Sequence, residues 1–281
     1  MAPESGFNPI SHVADAHEFE IFHGVNIHIP FGITKFEILI FAAAVLVFVA
    51  YSWLAKKVVT GETPKGKLWN FLEMLLIFIR DQVARPSIGE HDYKRFLPYL
   101  WTTFLFILVL NLFGMIPFLG SATASLAVTV VLALISFSVV QINGIVANHG
   151  FKGYMKTFVP HLEFGSSPLA RILSFFMSAG MFVLEVMSMF IRSIVLAIRL
   201  FANMLAGHVA LVVVLSFIMM AGQAAASGSN QASMFFWPIT FSSVVMVTVL
   251  SLLELFGACL QAFLFTFLTA IFIGLAIHPQ H

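Results

Sequence analysis

Charged side chains are scarce in this sequence, and cysteine is nearly absent. Lys and Arg number 14 and Asp and Glu 13 among 281 residues, 10% in all, where soluble domains carry about a quarter. Such a chain cannot clothe itself in a polar surface, which excludes an ordinary soluble globular fold. The formal net charge of +1 gives no reason to expect nucleic acid as a partner. The single cysteine, Cys259, excludes an internal disulfide framework and the multi-cysteine metal patterns. No glycine-rich phosphate loop with its lysine is present, so no nucleotide site is expected. Residues 1–32 lack a basic stretch followed by an apolar run and a cleavage site, and are expected to stay in the mature chain. His12, His17, His23 and His28 fit no standard ligand spacing and are read as solvated or interfacial. No cofactor or metal is expected.

What the chain has instead is long apolar sequence, 60% hydrophobic overall. Roughly 20 apolar residues cross a bilayer core, and residues 36–55 meet that length before stopping at Lys56 and Lys57. Residues 67–84 alternate apolar and polar positions at helical spacing, as an amphipathic helix lying on a membrane surface would. Residues 96–118 and 122–146 are two further spans joined by a short turn, followed by a polar loop, His149 to Pro168. Residues 172–223 and 234–277 are each longer than a perpendicular crossing requires and are expected to form a steeply tilted antiparallel hairpin. The expected fold is an all-α integral membrane protein: five membrane-embedded hydrophobic helices and one interfacial helix. Residues 1–34 form an extramembrane or interfacial segment, and residues 35–281 a single membrane domain. Eight of the 14 basic residues lie between the first two spans, and Lys152, Lys156 and Arg171 lie in the loop after the third. The positive-inside rule then puts the N-terminus outside and the C-terminus in the cytoplasm.

After Glu163 only five charged residues remain: Arg171, Glu185, Arg192, Arg199 and Glu254. Arg199 has no acid within thirteen positions on either side. Its guanidinium stays protonated, and at mid-membrane depth it costs from about 2.5 to more than 10 kcal/mol. On an ideal helix Glu185, Arg192 and Arg199 fall within about 40° of one another, with Asn203 a further 40° round. His208 points to the opposite side. Glu254 and Gln261 share a face of the last helix. For two antiparallel helices turning near residue 228, facing residue numbers have a nearly constant sum: Arg199 and Gln261 give 460, His208 and Glu254 give 462. His208 and Glu254 can exchange protons with water, whereas Arg199 cannot. A titratable pair beside a fixed cation suits a proton path with a barrier at its end. The bland alternative is a scaffold in which Arg199 pairs with Glu185 or Glu254 to fix helix register. Cations outnumber acids in the stripe, however, which leaves Arg199 wanting a carboxylate from another chain. A secondary transporter or ion channel is the third reading, and the repeated halves or matching broken helices it predicts are not seen in the sequence.

Arg199-Leu200-Phe201-Ala202-Asn203-Met204-Leu205-Ala206-Gly207-His208, Leu260 to Phe265, Asn111-Leu112-Phe113-Gly114-Met115-Ile116-Pro117 and His17 to Ile21 together resemble subunit a of F-type ATP synthases. The closing residues Ala276 to His281 are similar to those of alphaproteobacterial members, which implies a bacterial inner membrane. The resemblance implies a proton-translocating stator beside a ring of c subunits, with peripheral-stalk b subunits, membrane lipid and, indirectly, the F1 head as partners. Arg199 would face the ring carboxylate. Glu185 would serve the inner half-channel and His208 with Glu254 the outer one, with Asn203 and Gln261 as polar neighbours of the arginine. The chain departs from the family at Ser193, where proline is common.

Overall fold

A computed structural model describes residues 18–20, 26–28, 34–59, 66–116, 121–148, 150–151, 153–154, 168–226 and 230–277. The long elements are all helical. They are α1 (Lys35–Val59), α2 (Lys67–Phe78), a π-helical turn (Ile79–Ala84), α3 (Arg85–Ile88), α4 (Tyr93–Gly114), a 3₁₀ turn (Ala122–Ala124), α5 (Leu126–Ala147), α6 (Pro168–Ala226) and α7 (Asn230–Ile277). A short antiparallel ribbon, β1 (Glu18–Glu20) on β2 (Asn26–His28), precedes them, with Phe19 opposite Ile27. Segments of α1, α4, α5, α6 and α7 are long and apolar enough to cross a membrane. The molecule is therefore a multi-pass all-α membrane protein, with the five expected spans. The third begins later than sequence spacing suggests, at Leu126, because Ala122–Ala124 close as a 3₁₀ turn. The histidines at 12, 17 and 23, most of the polar loop and the last four residues lie outside the described residues.

Local chemistry sets the helix ends. Thr34 N–H donates to Glu37 Oε2 (3.1 Å) and Glu37 N–H to Thr34 Oγ1 (3.4 Å), the reciprocal pairing that starts a helix firmly. Lys56 and Lys57 sit in the last turn of α1, where cations complement the helix dipole. The buried positions Phe36, Leu39, Ala43, Val47 and Leu54 follow one another at helical spacing, while Phe41 and Phe48 are more than two-thirds exposed, as a lipid-facing side should be.

The interfacial segment does not run as one α-helix. After Phe78 it widens into the π turn, where Arg85 N–H donates to Arg80 O, five residues back. The Trp101 indole N–H donates to Leu76 O at 3.0 Å, just before the widening. Arg80 makes two bonds to Asp81, 2.8 and 3.0 Å, and Arg85 Nη1 lies 3.3 Å from the same carboxylate. The Arg80 hydrogen bonds, and behind them the charge of both arginines, hold the Asp81 carboxyl below its ordinary pKa.

The chain divides into two compact units. The first comprises Met1–Trp53, Leu105–Val128 and Arg199–Ala262; the second Leu54–Phe104, Thr129–Ile198 and Phe263–His281. In the first, Ile107, Leu110, Asn111, Leu200, Met204, Ala258 and Ala262 are fully buried. In the second, the core includes Ile79, Val83, Leu100, Phe265 and Ile273, and Asn148 Nδ2 donates to Ala276 O at 3.1 Å.

Candidate ion-transfer site

Arg199, Asn203, Glu254 and Gln261 all lie in the first unit. Two glycines reveal how α6 and α7 meet there. A methyl group at Gly207 would stand 3.0 Å from Glu254 Oε1, and one at Gly257 would stand 3.1 Å from Asn203 Nδ2. These neighbours, 207 with 254 and 203 with 257, sum to 461 and 460, the register expected from sequence. Each helix thus offers a bare backbone position to a polar side chain of the other. Such close approach is what small residues permit between membrane helices.

Glu254 is 5% exposed and Gln261 3%, so both are turned into the protein. Glu254 Oε1 and Gln261 Nε2 have no hydrogen-bond partner among the described residues. Leaving a buried polar group unpaired costs about 1–3 kcal/mol, so native proteins satisfy such groups, often with ordered water.

Arg199 is disposed differently. Leu200 and Met204 fill the buried side of α6, and Arg199 stands on the exposed side with Ala202, Ala206, Val209 and Val213. The spacing of that exposed row is three, four, three and four residues, a narrow stripe along one side of the helix. Among the described residues Arg199 makes no ion pair or hydrogen bond. A register-fixing pair of Arg199 with Glu254 is therefore not formed. Its expected relation to Gln261 is one of register only, since no bond joins them.

Asn111 belongs to this site, and sequence reasoning gave it no role beyond the family motif. Its Nδ2 donates to Ala258 O at 3.2 Å, one turn beyond Glu254 on α7, and its own Oδ1 has no partner among the described residues. Three residues later a methyl at Gly114 would meet Ser121 Oγ at 2.6 Å and Met204 Cε at 2.9 Å. Asn111 therefore grips α7 while Gly114 lets α4 close on α6. An amide inside an apolar span, with glycine one turn on, was the available signal. His208 and Glu185 lie in α6; their side chains fall outside the described residues. Glu185 belongs to the second unit with Arg192, whose guanidinium stands 5.5 Å from the centre of the Phe272 ring.

A family model described as ATP synthase A chain matches residues 37–274, which takes in the whole of this site. The chain belongs to that family. It is 36% identical over 250 residues to "ATP synthase subunit a" of Myxococcus xanthus, covering 89% of this chain and 74% of that one. It is also 36% identical to "ATP synthase subunit a" of Chloroherpeton thalassium, over 97% of this chain and 77% of that one. A third relative, "ATP synthase subunit a 2" of Chlorobium luteolum, is 36% identical over 94% of this chain and 74% of its own length. The matched stretch of this ATP synthase A chain family member includes Asn111, Arg199, Glu254 and Gln261 alike.

Proposed function

We propose that this chain is the proton-translocating stator subunit of the F0 sector of an ATP synthase in a bacterial inner membrane. The observation that carries the reading is Arg199: a permanent cation on the exposed side of an apolar helix, with no counter-charge among the described residues. Its carboxylate is supplied by a neighbouring subunit, a ring of c subunits turning past the α6 stripe. Glu254, buried with its Oε1 unpaired among the described residues, lines a hydrated outer path with His208, and Asn203 and Gln261 are the polar neighbours of Arg199. Glu185 serves the inner one.

A proton enters from outside past His208 and Glu254 and neutralises a ring carboxylate, which can then travel through lipid. After nearly a full turn the carboxyl releases its proton toward Glu185. Arg199 holds the arriving carboxylate ionised by charge attraction and, because it does not give up its own proton, blocks direct flow between the two paths. Each proton crossing supplies about 2.3 kcal/mol per 100 mV of membrane potential. The ring passes that energy to the F1 head while peripheral-stalk b subunits restrain this chain. The N-terminus lies outside and the C-terminus in the cytoplasm.

The test is Arg199→Ala and Arg199→Lys in the assembled complex, measured as ATP-driven proton uptake into membrane vesicles. Both variants assemble and lose pumping. Normal pumping by either would overturn the assignment. Exchanging His208 and Glu254 for one another is expected to harm pumping less than replacing either with leucine.

A further inference from the structure

The second unit contains a partly buried polar relay that the proposed mechanism leaves unused. Tyr154 is 5% exposed and follows a turn in which Gly150 takes φ +115°, with Tyr154 N–H bonded to Gly150 O. Its ring lies on Gly144 of α5, where a methyl would approach to 2.5 Å of the ring carbon Cε2. The phenol oxygen is 2.8 Å from Gln141 Oε1, Gln141 Nε2 is 3.3 Å from Met189 Sδ, and the phenol oxygen is 3.8 Å from the same sulfur.

The direction of this relay follows from its last member. A thioether only accepts hydrogen bonds, so Gln141 turns its NH₂ to Met189 and its carbonyl to Tyr154. The phenol is then the donor. One hydroxyl thus fixes the amide, and the amide fixes the rotation of α6 against α5. Met189 stands one helical turn after Glu185, and Ser193 Oγ donates to Met189 O at 3.4 Å. The loop that ends at Tyr154 is tied at its other end to α7, through Asn148 and Ala276 O.

We propose that Tyr154 is a positioning residue: through Gln141 and Met189 it sets the rotation of the α6 turns around residues 185–193, the stretch assigned above to the inner proton path. This rests on the function proposed above. Removing the hydroxyl leaves the Gln141 carbonyl unpaired and lets the amide turn over, and α6 loses its fixed orientation.

The experiment uses the assembled complex carrying Tyr154→Phe, Met189→Gln, or both. Tyr154→Phe keeps the ring on Gly144 and removes only the hydroxyl. ATP-driven proton uptake is expected to fall roughly threefold to tenfold, and backbone amide exchange over residues 185–193 to quicken by a similar factor, as loss of one partly buried hydrogen bond would give. In the double variant the amide at 189 donates to the Gln141 carbonyl that the phenol no longer satisfies, so both readouts return toward wild type. A ring that merely fills space would not be rescued from position 189. Unchanged exchange over 185–193 in Tyr154→Phe, or a double variant no better than the single, overturns the proposal while the Arg199 result stands. Quickened exchange with rescue, but normal pumping in Arg199→Ala, overturns the functional reading and keeps the relay as a structural pin.

Discussion

At the residue scale the site depends on two absent side chains as much as on the charged ones. Gly207 leaves space for the Glu254 carboxyl, and Gly257 for the Asn203 amide. Gly207→Ala puts a methyl 3.0 Å from Glu254 Oε1, tighter than ordinary contact, so the carboxyl shifts by a few tenths of an ångström. Pumping is expected to fall roughly tenfold, a displacement effect of the kind positioned groups show. Adding Glu254→Asp, which withdraws the acid by one methylene, is expected to recover part of it. Proton uptake by the single and the double variant checks both statements, and wild-type pumping with Gly207→Ala would show that the contact has slack. Intramembrane charge is rare, which is why Arg199 and Glu254 stand out in the sequence, and the register of α6 against α7 followed from helix arithmetic. The glycine contacts and the Asn111 bond to Ala258 O were not, because they depend on side-chain reach between segments 147 residues apart, which periodicity does not encode.

Among elements, the interfacial segment is the one whose form departs most from its pattern. Its apolar spacing continues through residue 83, so the sequence reads as one helix. Where it widens into a π turn it meets contacts that apolar spacing does not encode, the Trp101 indole on Leu76 O and two arginines on one aspartate. π turns are often found at functional sites. Because the folded Asp81 carboxyl has a lowered pKa, its contribution is fully present above the unfolded aspartate pKa and is lost as pH falls through the folded value. Amide exchange over residues 79–85 is accordingly expected to quicken on acidification below the ordinary aspartate range. Asp81→Asn should exchange fast already at neutral pH and show no further acid step. An acid step of the same size in Asp81→Asn would assign it to another group. The starts of α1 and α5 make the same point about caps. Thr34 and Glu37 mark the first. At the second, Ala122–Ala124 look helical in composition and close as a 3₁₀ turn instead.

For the whole molecule, five spans were legible because twenty-residue apolar runs have few other uses. The β1–β2 ribbon was not, since two three-residue strands carry too little pattern to stand out. The exposed row Arg199, Ala202, Ala206, Val209 and Val213 predicts where a partner subunit lies. With Cys259 replaced by serine, Ala202→Cys or Ala206→Cys is expected to cross-link to a small, highly apolar, carboxylate-bearing subunit. Met204→Cys, on the fully buried side, is not. Gel mobility and mass spectrometry of the adduct decide it, and cross-linking from position 204 alone would place the partner on the wrong side of α6.

That row also bears on friction. Helices that pack permanently lock large knobs into facing holes, and each such step would have to be undone for one to slide along the other. In the two turns that follow Arg199 the exposed groups of this row are the methyls of Ala202 and Ala206, too short to engage a hole. A rotor passing this surface on the proposed reading meets one electrostatic detent, the guanidinium, bordered on one side by two turns of low relief.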